Sequence, residues 1–182
     1  VSALGISKTP IREALAALKL QGLVNIIPQR GAFVFTLTKK DVIQLCRFRL
    51  ILETAALDQA LDEQPLALLH ELAEIISKMS LALECNEFEQ YLELDADFHD
   101  AFFDHCSNNY LRAGYQKVSD IVRTMRSHLS TRPERTVKSF EEHRAIVTFL
   151  REGNIKKANS VLKKQITRGE RSYSDLTGIE QS

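Results

Sequence analysis

From Lys39 onward, every segment of this 182-residue chain repeats its apolar residues at a period near 3.6, and no strand signal recurs. Such a chain can close on itself only as a bundle of helices. The spacing predicts about six: Lys39 to Asp62, Pro65 to Glu84, Glu87 to Ser107, Tyr110 to Ser130, Thr136 to Glu152 and Ile155 to Asp175. Their breaks fall at Gln64-Pro65, Asn108-Asn109, Arg132-Pro133 and Gly153-Asn154, where proline, glycine and asparagine interrupt the pattern. Connections this short make neighbours antiparallel. Thr38 is placed to cap the first helix, and residues 177–182 are expected to fray.

The front of the chain reads differently. Ser7 or Thr9 as cap, with Pro10 in the first turn, starts a helix that Gly22 ends. Ile11, Ala14, Leu15 and Leu18 share one side of it, leaving Lys8, Thr9, Arg12 and Lys19 for the other. Val24 to Ile27 and Ala32 to Leu37 then flank Pro28-Gln29-Arg30-Gly31, the spacing and turn chemistry of a hairpin. Lys and Arg equal Asp and Glu at 24 each, but the first 40 residues hold six basic side chains against one acid. Clustered cations suit a polyanion. A capped helix start bearing Thr and Arg suits a DNA major groove with phosphates nearby.

A hydrophobic content of 44% is enough for a substantial core. Cys46, Cys85 and Cys106 are odd in number and far apart, which indicates neither a disulfide framework nor a thiolate metal site and fits a reducing cytoplasm. No apolar run approaches the length of a membrane span. Val1 to Gly5 reads as the last turn of a helix and its exit glycine, so an upstream element is expected ahead of Val1.

Within the bundle, Phe88, Tyr91, Leu92, Phe98, Phe102, Phe103 and Cys106 share one helix face, and Asp95 and His99 fall in its middle. A carboxylate and an imidazole are thus predicted to be buried, where each requires a hydrogen bond, an ion pair or a metal. Their i, i+4 spacing lets both reach a single ion. His143, among Phe140, Val147 and Leu150, and Gln165, among Ala158, Val161 and Leu162, also occupy inner faces, so three helices aim polar groups at one interior region. Arg49, on a stripe with Val42, Leu45, Leu52 and Ala56, and Arg126, beside Val122 and Met125, can point inward and fork onto a carboxylate. The alternative for Arg49 is a surface pair with Glu53, and for Arg126 a stem packed along the bundle with its head in water.

Leu4-Gly5-x-Ser7-x-Thr9-Pro10-x-Arg12-Glu13-Ala14-Leu15, then Leu18, Gly22-Leu23-Val24 and Arg30-Gly31-x-Phe33-Val34, resembles the winged helix-turn-helix of GntR-superfamily repressors. The resemblance implies that Ser7, Lys8, Thr9 and Arg12 contact operator DNA, while Arg30 and Gly31 form the wing tip near the minor groove. Lys8 stands where arginine is commoner, exchanging a bidentate guanine fork for a point charge. It also implies that the upstream helix is missing from residues 1–37, the DNA-binding part.

Arg49-x-x-x-Glu53, Asp95-x-x-Phe98-His99, Ser107-x-Asn109-x-Leu111, Glu142-His143-x-x-Ile146 and Gly153-Asn154 resemble the FCD domain, the helical ligand-binding module of the FadR-like branch of that superfamily. This implies a ligand-binding and dimerisation domain over residues 38–176, with Arg49, Arg126, Asn109 and Gln165 facing the effector. The metal-binding members hold a divalent ion through one Asp and three His. Asp95, His99 and His143 match the first three, and Gln165 stands at the third histidine's position. A divalent metal (zinc, nickel or manganese) is therefore one implied cofactor, weakened or lost where an amide replaces imidazole.

Together these readings describe a mainly α protein with a truncated winged helix-turn-helix and a helical bundle. Its expected function is that of a cytoplasmic, homodimeric transcriptional repressor that binds double-stranded operator DNA and senses a small organic or sugar acid. Two alternatives stay open: a metal-dependent helical enzyme, for which no nucleophile with an orienting base stands out, and a metal-free sensor with a hydrogen-bonded polar core.

Overall fold

In the computed structural model the described residues are 7–20, 24–29, 31–34, 37–129 and 133–176. Helix α1 spans Lys8–Leu20 and is followed by strands β1 (Val24–Ile27) and β2 (Gly31–Val34). The strands pair antiparallel, Val24 opposite Val34 and Ile27 opposite Gly31. Gln29 (φ 62°) and Gly31 (φ 114°) have positive φ; at Gly31 the missing Cβ removes the strain that any other side chain would meet. On α1, Ile11, Leu15 and Leu18 are half-buried, but Ala14, expected on that side, is exposed. Gly22, Arg30 and Phe35, together with the segments 1–6 and 177–182, lie outside the described residues.

The body is α2 (Lys39–Glu63), α3 (Pro65–Glu84), α4 (Phe88–Asp104), α5 (Asn109–Gln116), α6 (Ser119–Leu129), α7 (Pro133–Arg151) and α8 (Ile155–Leu176). Thr38 caps α2 as expected. Its hydroxyl accepts from the Asp41 N–H at 3.2 Å, and the Asp41 carboxylate accepts from the Thr38 N–H at 3.0 Å, satisfying two donors reciprocally. Pro65 opens α3, where its missing N–H costs nothing. Gly153 (φ 71°) ends α7: its N–H reaches the Leu150 carbonyl and the Asn154 N–H the Phe149 carbonyl, the paired bonds of a left-handed helix stop. The Asn154 side chain then accepts from the Lys157 N–H at 3.2 Å as α8 begins.

The structure differs from the sequence reading where one long helix was expected over Tyr110 to Ser130. The chain breaks at Lys117 and Val118, whose N–H turns back to the Tyr115 carbonyl at 2.9 Å. Inward contacts flank the break. Tyr115, at the end of α5, stacks on Phe103 with centroids 4.2 Å apart, whereas Val122 and Met125 of α6 enter the core. Asn108 caps α5 through the Tyr110 and Leu111 N–H groups. Phe88, expected inside, is 45% exposed because it begins α4 at the rim of the bundle.

Helix α4 packs on α2 and α3, and α8 packs on α7 and α2, so the mid-helix faces carrying Glu53, Asp95, His99, His143 and Gln165 meet within a continuous apolar core. Leu57, Leu68, Leu72, Met79, Phe98, Phe102, Ile146 and Leu162 are fully enclosed there. Among the described residues no helix is long and apolar enough to cross a membrane.

Truncation of this core should be costly and truncation of the rim should not. Leu72→Ala is expected to lower unfolding free energy by about 2–5 kcal/mol, and Leu66→Ala, at an exposed site, by no more than about 0.5 kcal/mol, measured by chemical denaturation.

Candidate functional site

A fully buried carboxylate organises the polar cluster within the core. Glu53 of α2 accepts from Arg49 Nε at 2.8 Å through Oε1 and from His99 Nδ1 at 2.7 Å through Oε2. The i, i+4 pair read from the sequence therefore exists, but it is internal, with both partners buried. Burial pushes the Glu53 carboxyl up, yet the charges of Arg49, His99 and Arg126 outweigh it and hold the group well below the usual carboxylate range. For Arg49, burial alone would lower the pKa; Glu53 reverses the sign.

An ionised carboxylate only accepts, so His99 must carry its proton on Nδ1 and present the Nε2 lone pair to the opposite side. There Nε2 lies 3.3 Å from His143 Nε2 of α7. Asp95 Oδ1, one turn before His99 on α4, is 3.7 Å from the same His143 nitrogen. Gln165 of α8 directs Nε2 to His143 Nε2 at 3.0 Å and to Ser139 Oγ at 3.2 Å, leaving its Oε1 buried without a partner. Phe98 walls the two imidazoles, with centroids 5.7 Å from His99 and 4.3 Å from His143.

Two nitrogens and one carboxylate oxygen thus converge, and Asp95, His99 and His143 offer one ligand atom each, all within 4.8 Å of one another. Two ligands that share a tetrahedral zinc at about 2.0–2.1 Å stand about 3.3–3.4 Å apart, so the imidazole pair is already at coordinating separation. Two buried imidazoles and a carboxylate form a donor set suited to a borderline divalent ion. Glu53 behind His99 is the carboxylate that such a ligand needs to fix its tautomer and ring plane.

Both imidazoles are held neutral. Burial is the main cause for each; His99 is lowered further by Arg126, against Glu53, and His143 falls to about 3 with Asp95 opposing the shift. Burial raises the Asp95 carboxyl, but Arg126, His143 and His99 bring it below its ordinary value.

A cavity opens beside these groups, lined by Asp95, His99, Gln165, Arg49 and Arg126 together with Ser139, Arg135 and Arg168. Arg126 of α6 points inward, one of the two orientations expected, with Nε 3.4 Å from Asp95 Oδ2. Asn109 does not join the cavity: it is exposed at the start of α5 and lines a separate surface groove with Gln59, Glu63 and Ser107. Ser139, Arg135, Arg168 and the internal position of Glu53 were missed. The signal existed in the helical period: Ser139 and Arg135 lie one and two turns before His143, Arg168 follows Gln165 by three residues, and Glu53 continues the Arg49 stripe to Ala56.

On α1, Lys8, Thr9 and Arg12 are exposed beside Ser7, and Gly31 is exposed at the start of β2; Arg30 falls outside the described residues.

The neutral, buried His143 fixes a pH dependence for protein stripped of divalent ions. Its folded pKa lies below its unfolded value of about 6.5, so between these values the unfolded state binds more protons and stability falls as pH is lowered. Below about pH 4.5, protonation of Glu53 and Asp95, whose folded pKa values are also depressed, continues the loss. The melting temperature in chelator is expected to drop steadily from pH 7.5 to pH 5 and to do so less steeply in His143→Gln.

Comparison with known proteins agrees with this architecture. A family profile described as the FCD domain matches residues 44–168, and one described as bacterial regulatory proteins, gntR family, matches residues 1–34. The HTH-type transcriptional regulator YdhC of Bacillus subtilis is 28% identical over 162 residues, covering 88% of this chain and 70% of its own. The gluconate operon transcriptional repressor of the same species is 22% identical over 151 residues, 80% of this chain and 62% of its own. This chain therefore spans 62–70% of the length of these relatives. The crystal structure of a GntR transcriptional regulator from Rhodococcus sp. RHA1 shares the fold with a TM-score of 0.77 at 20% identity, covering 99% of this chain and 84% of that one. The chain belongs to the GntR family of bacterial transcriptional regulators, in the group that carries an FCD domain.

Proposed function

We propose that this chain is a repressor whose bundle, residues 38–176, binds a small organic or sugar acid and thereby changes how residues 1–37 engage operator DNA. The observation that carries this reading is the buried convergence of Asp95, His99 and His143 beside an arginine-lined cavity. GntR regulators bind operator DNA and FCD domains bind small effectors; the repressor role, the homodimer and the cytoplasmic setting are part of the proposal. Members of this family are regulators, not enzymes, so the metal-dependent enzyme alternative is set aside.

Ser7, Lys8, Thr9 and Arg12 would meet DNA from the start of α1, with Arg30 and Gly31 at the tip of the hairpin. In the bundle, Asp95, His99 and His143 would hold a divalent ion of the zinc, nickel or manganese type, leaving coordination positions open. Such an ion supplies Lewis-acid binding of carboxylate and hydroxyl oxygens. Glu53 keeps His99 in the tautomer that presents Nε2, and Phe98 packs against both imidazoles. Because Arg49 is engaged by Glu53, Arg126 is the better candidate of the two for contact with the acid. An acid bound between α4, α6, α7 and α8 favours one arrangement of those helices, and that difference in affinity would drive the switch.

A second reading has a specific observation behind it: the Gln165 amide donates to His143 Nε2, the lone pair an ion would take. In that reading the core works without metal and the acid meets Arg126 directly. Elemental analysis of protein purified without chelator or metal-affinity resin separates the two.

The central test is induction. In a gel-shift titration, an acid that releases operator from the wild-type protein is expected to lose this effect in Asp95→Ala and His143→Ala, with unliganded DNA binding retained; unchanged release in both variants would sink the proposal. The acid itself is found by thermal-shift screening with and without divalent ions. Saturation at 100 times Kd is worth about 2.7 kcal/mol, or roughly 5–10 °C for a chain of this size.

A further inference from the structure

Arg126 is only 9% exposed, and neither Nη1 nor Nη2 has a hydrogen-bond partner. Its contacts with Asp95 Oδ2, 3.4 Å from Nε, and Glu53 Oε1, 3.9 Å from Nη2, are ionic, and the second is too long to give either Nη a hydrogen-bond acceptor. Arg135, in the first turn of α7, lines the same cavity and also keeps Nη1 buried without a partner. The other two arginines of the cavity are already engaged, Arg49 by Glu53 and Arg168 by Glu142. Among the described residues Arg135 has no carboxylate. The cavity lining therefore holds four guanidinium groups, two of which keep buried N–H donors without acceptors.

Buried N–H donors without acceptors cost stability, and an anion that accepts from them relieves that cost. The two oxygens of Asp95 show where it would sit. Oδ1 faces His143 and the imidazole corner; Oδ2 faces Arg126 Nε. The corner and the guanidinium fork thus lie on different sides of one carboxylate, and a single ligand carboxylate placed at the corner leaves the fork unanswered.

We infer that Arg126 and Arg135 form a second anion subsite, and that the effector is a compact dicarboxylic acid with one carboxylate on the divalent ion that Asp95, His99 and His143 would hold and the other on the two guanidinium groups. This rests on the reading of the cavity as the effector site. A planar carboxylate is the natural occupant of the Arg126 fork, since two parallel N–H donors match its two oxygens. The hydroxyl of a hydroxy acid would serve the corner, not the fork.

Isothermal titration of the whole chain, with and without Mn²⁺, against malate and lactate tests this. Both acids offer the same α-hydroxycarboxylate, and only malate adds the second group. The expected result is malate binding at least about tenfold tighter than lactate. Arg126→Lys, which keeps the charge but loses the fork, and Arg135→Gln should bring the two affinities together. Arg135 is half-buried at a helix start, so that variant remains informative if Arg126→Lys fails to fold. Equal affinities in the wild type, or a ratio untouched by Arg135→Gln, would overturn the second subsite while leaving the acid-sensor reading in place. Failure of both acids to bind, with or without the ion, would overturn both.

Discussion

A single carboxylate, Glu53, holds the buried polar cluster of this bundle together. Placing it at zero exposure in an apolar core is tolerable only because Arg49 and His99 occupy its two oxygens at hydrogen-bonding distance. That arrangement fixes more than charge. It ties α2 to α4, sets which nitrogen of His99 is protonated, and so determines what the imidazole offers on its other side. Removing one member of such a group is harsher than replacing all of it, because the survivor remains buried and unpaired. The interaction therefore specifies geometry more than it supplies stability.

Around that anchor, four helices contribute complementary chemistry to one volume. Helix α4 brings Asp95 and His99 on successive turns, α7 brings His143 with Ser139 one turn earlier, α8 brings Gln165, and α6 brings Arg126. Depressed imidazole basicity and enhanced carboxyl acidity coexist there without conflict. Burial discourages positive charge on the rings, while the guanidinium groups keep the carboxylates ionised. The result is a site with neutral nitrogen ligands and anionic oxygen ligands at ordinary pH, together with donors left over for an acid.

Much of this was legible in the residues because helical periodicity maps sequence spacing onto faces directly. Asp95 and His99 in the middle of an aromatic stripe, and His143 and Gln165 on theirs, could be placed inside before any coordinates. What the period could not resolve was partnership. Arg49 and Glu53 are four residues apart on any helix, and whether the pair faces water or core depends on α4 and α8 closing over it. The break between α5 and α6 was likewise hidden, since the stacking of Tyr115 on Phe103 that accompanies it is a tertiary contact without a local mark. Arg135 escaped notice because the start of α7 was placed at Thr136, three residues late.

The turn at Gly153 has a consequence for how this site comes together. His143 and Gln165 are 22 residues apart across one tight helical hairpin, whereas His99 meets Glu53 from 46 residues away and His143 from 44. Closing the short loop costs little chain entropy, and the longer closures cost only slowly more with length but require the rest of the bundle to be in place. The α7–α8 side of the site is thus closed by contacts local in sequence, whereas its α2–α4 side depends on long-range ones. The point where the two imidazoles face each other is where the local and the long-range contacts meet.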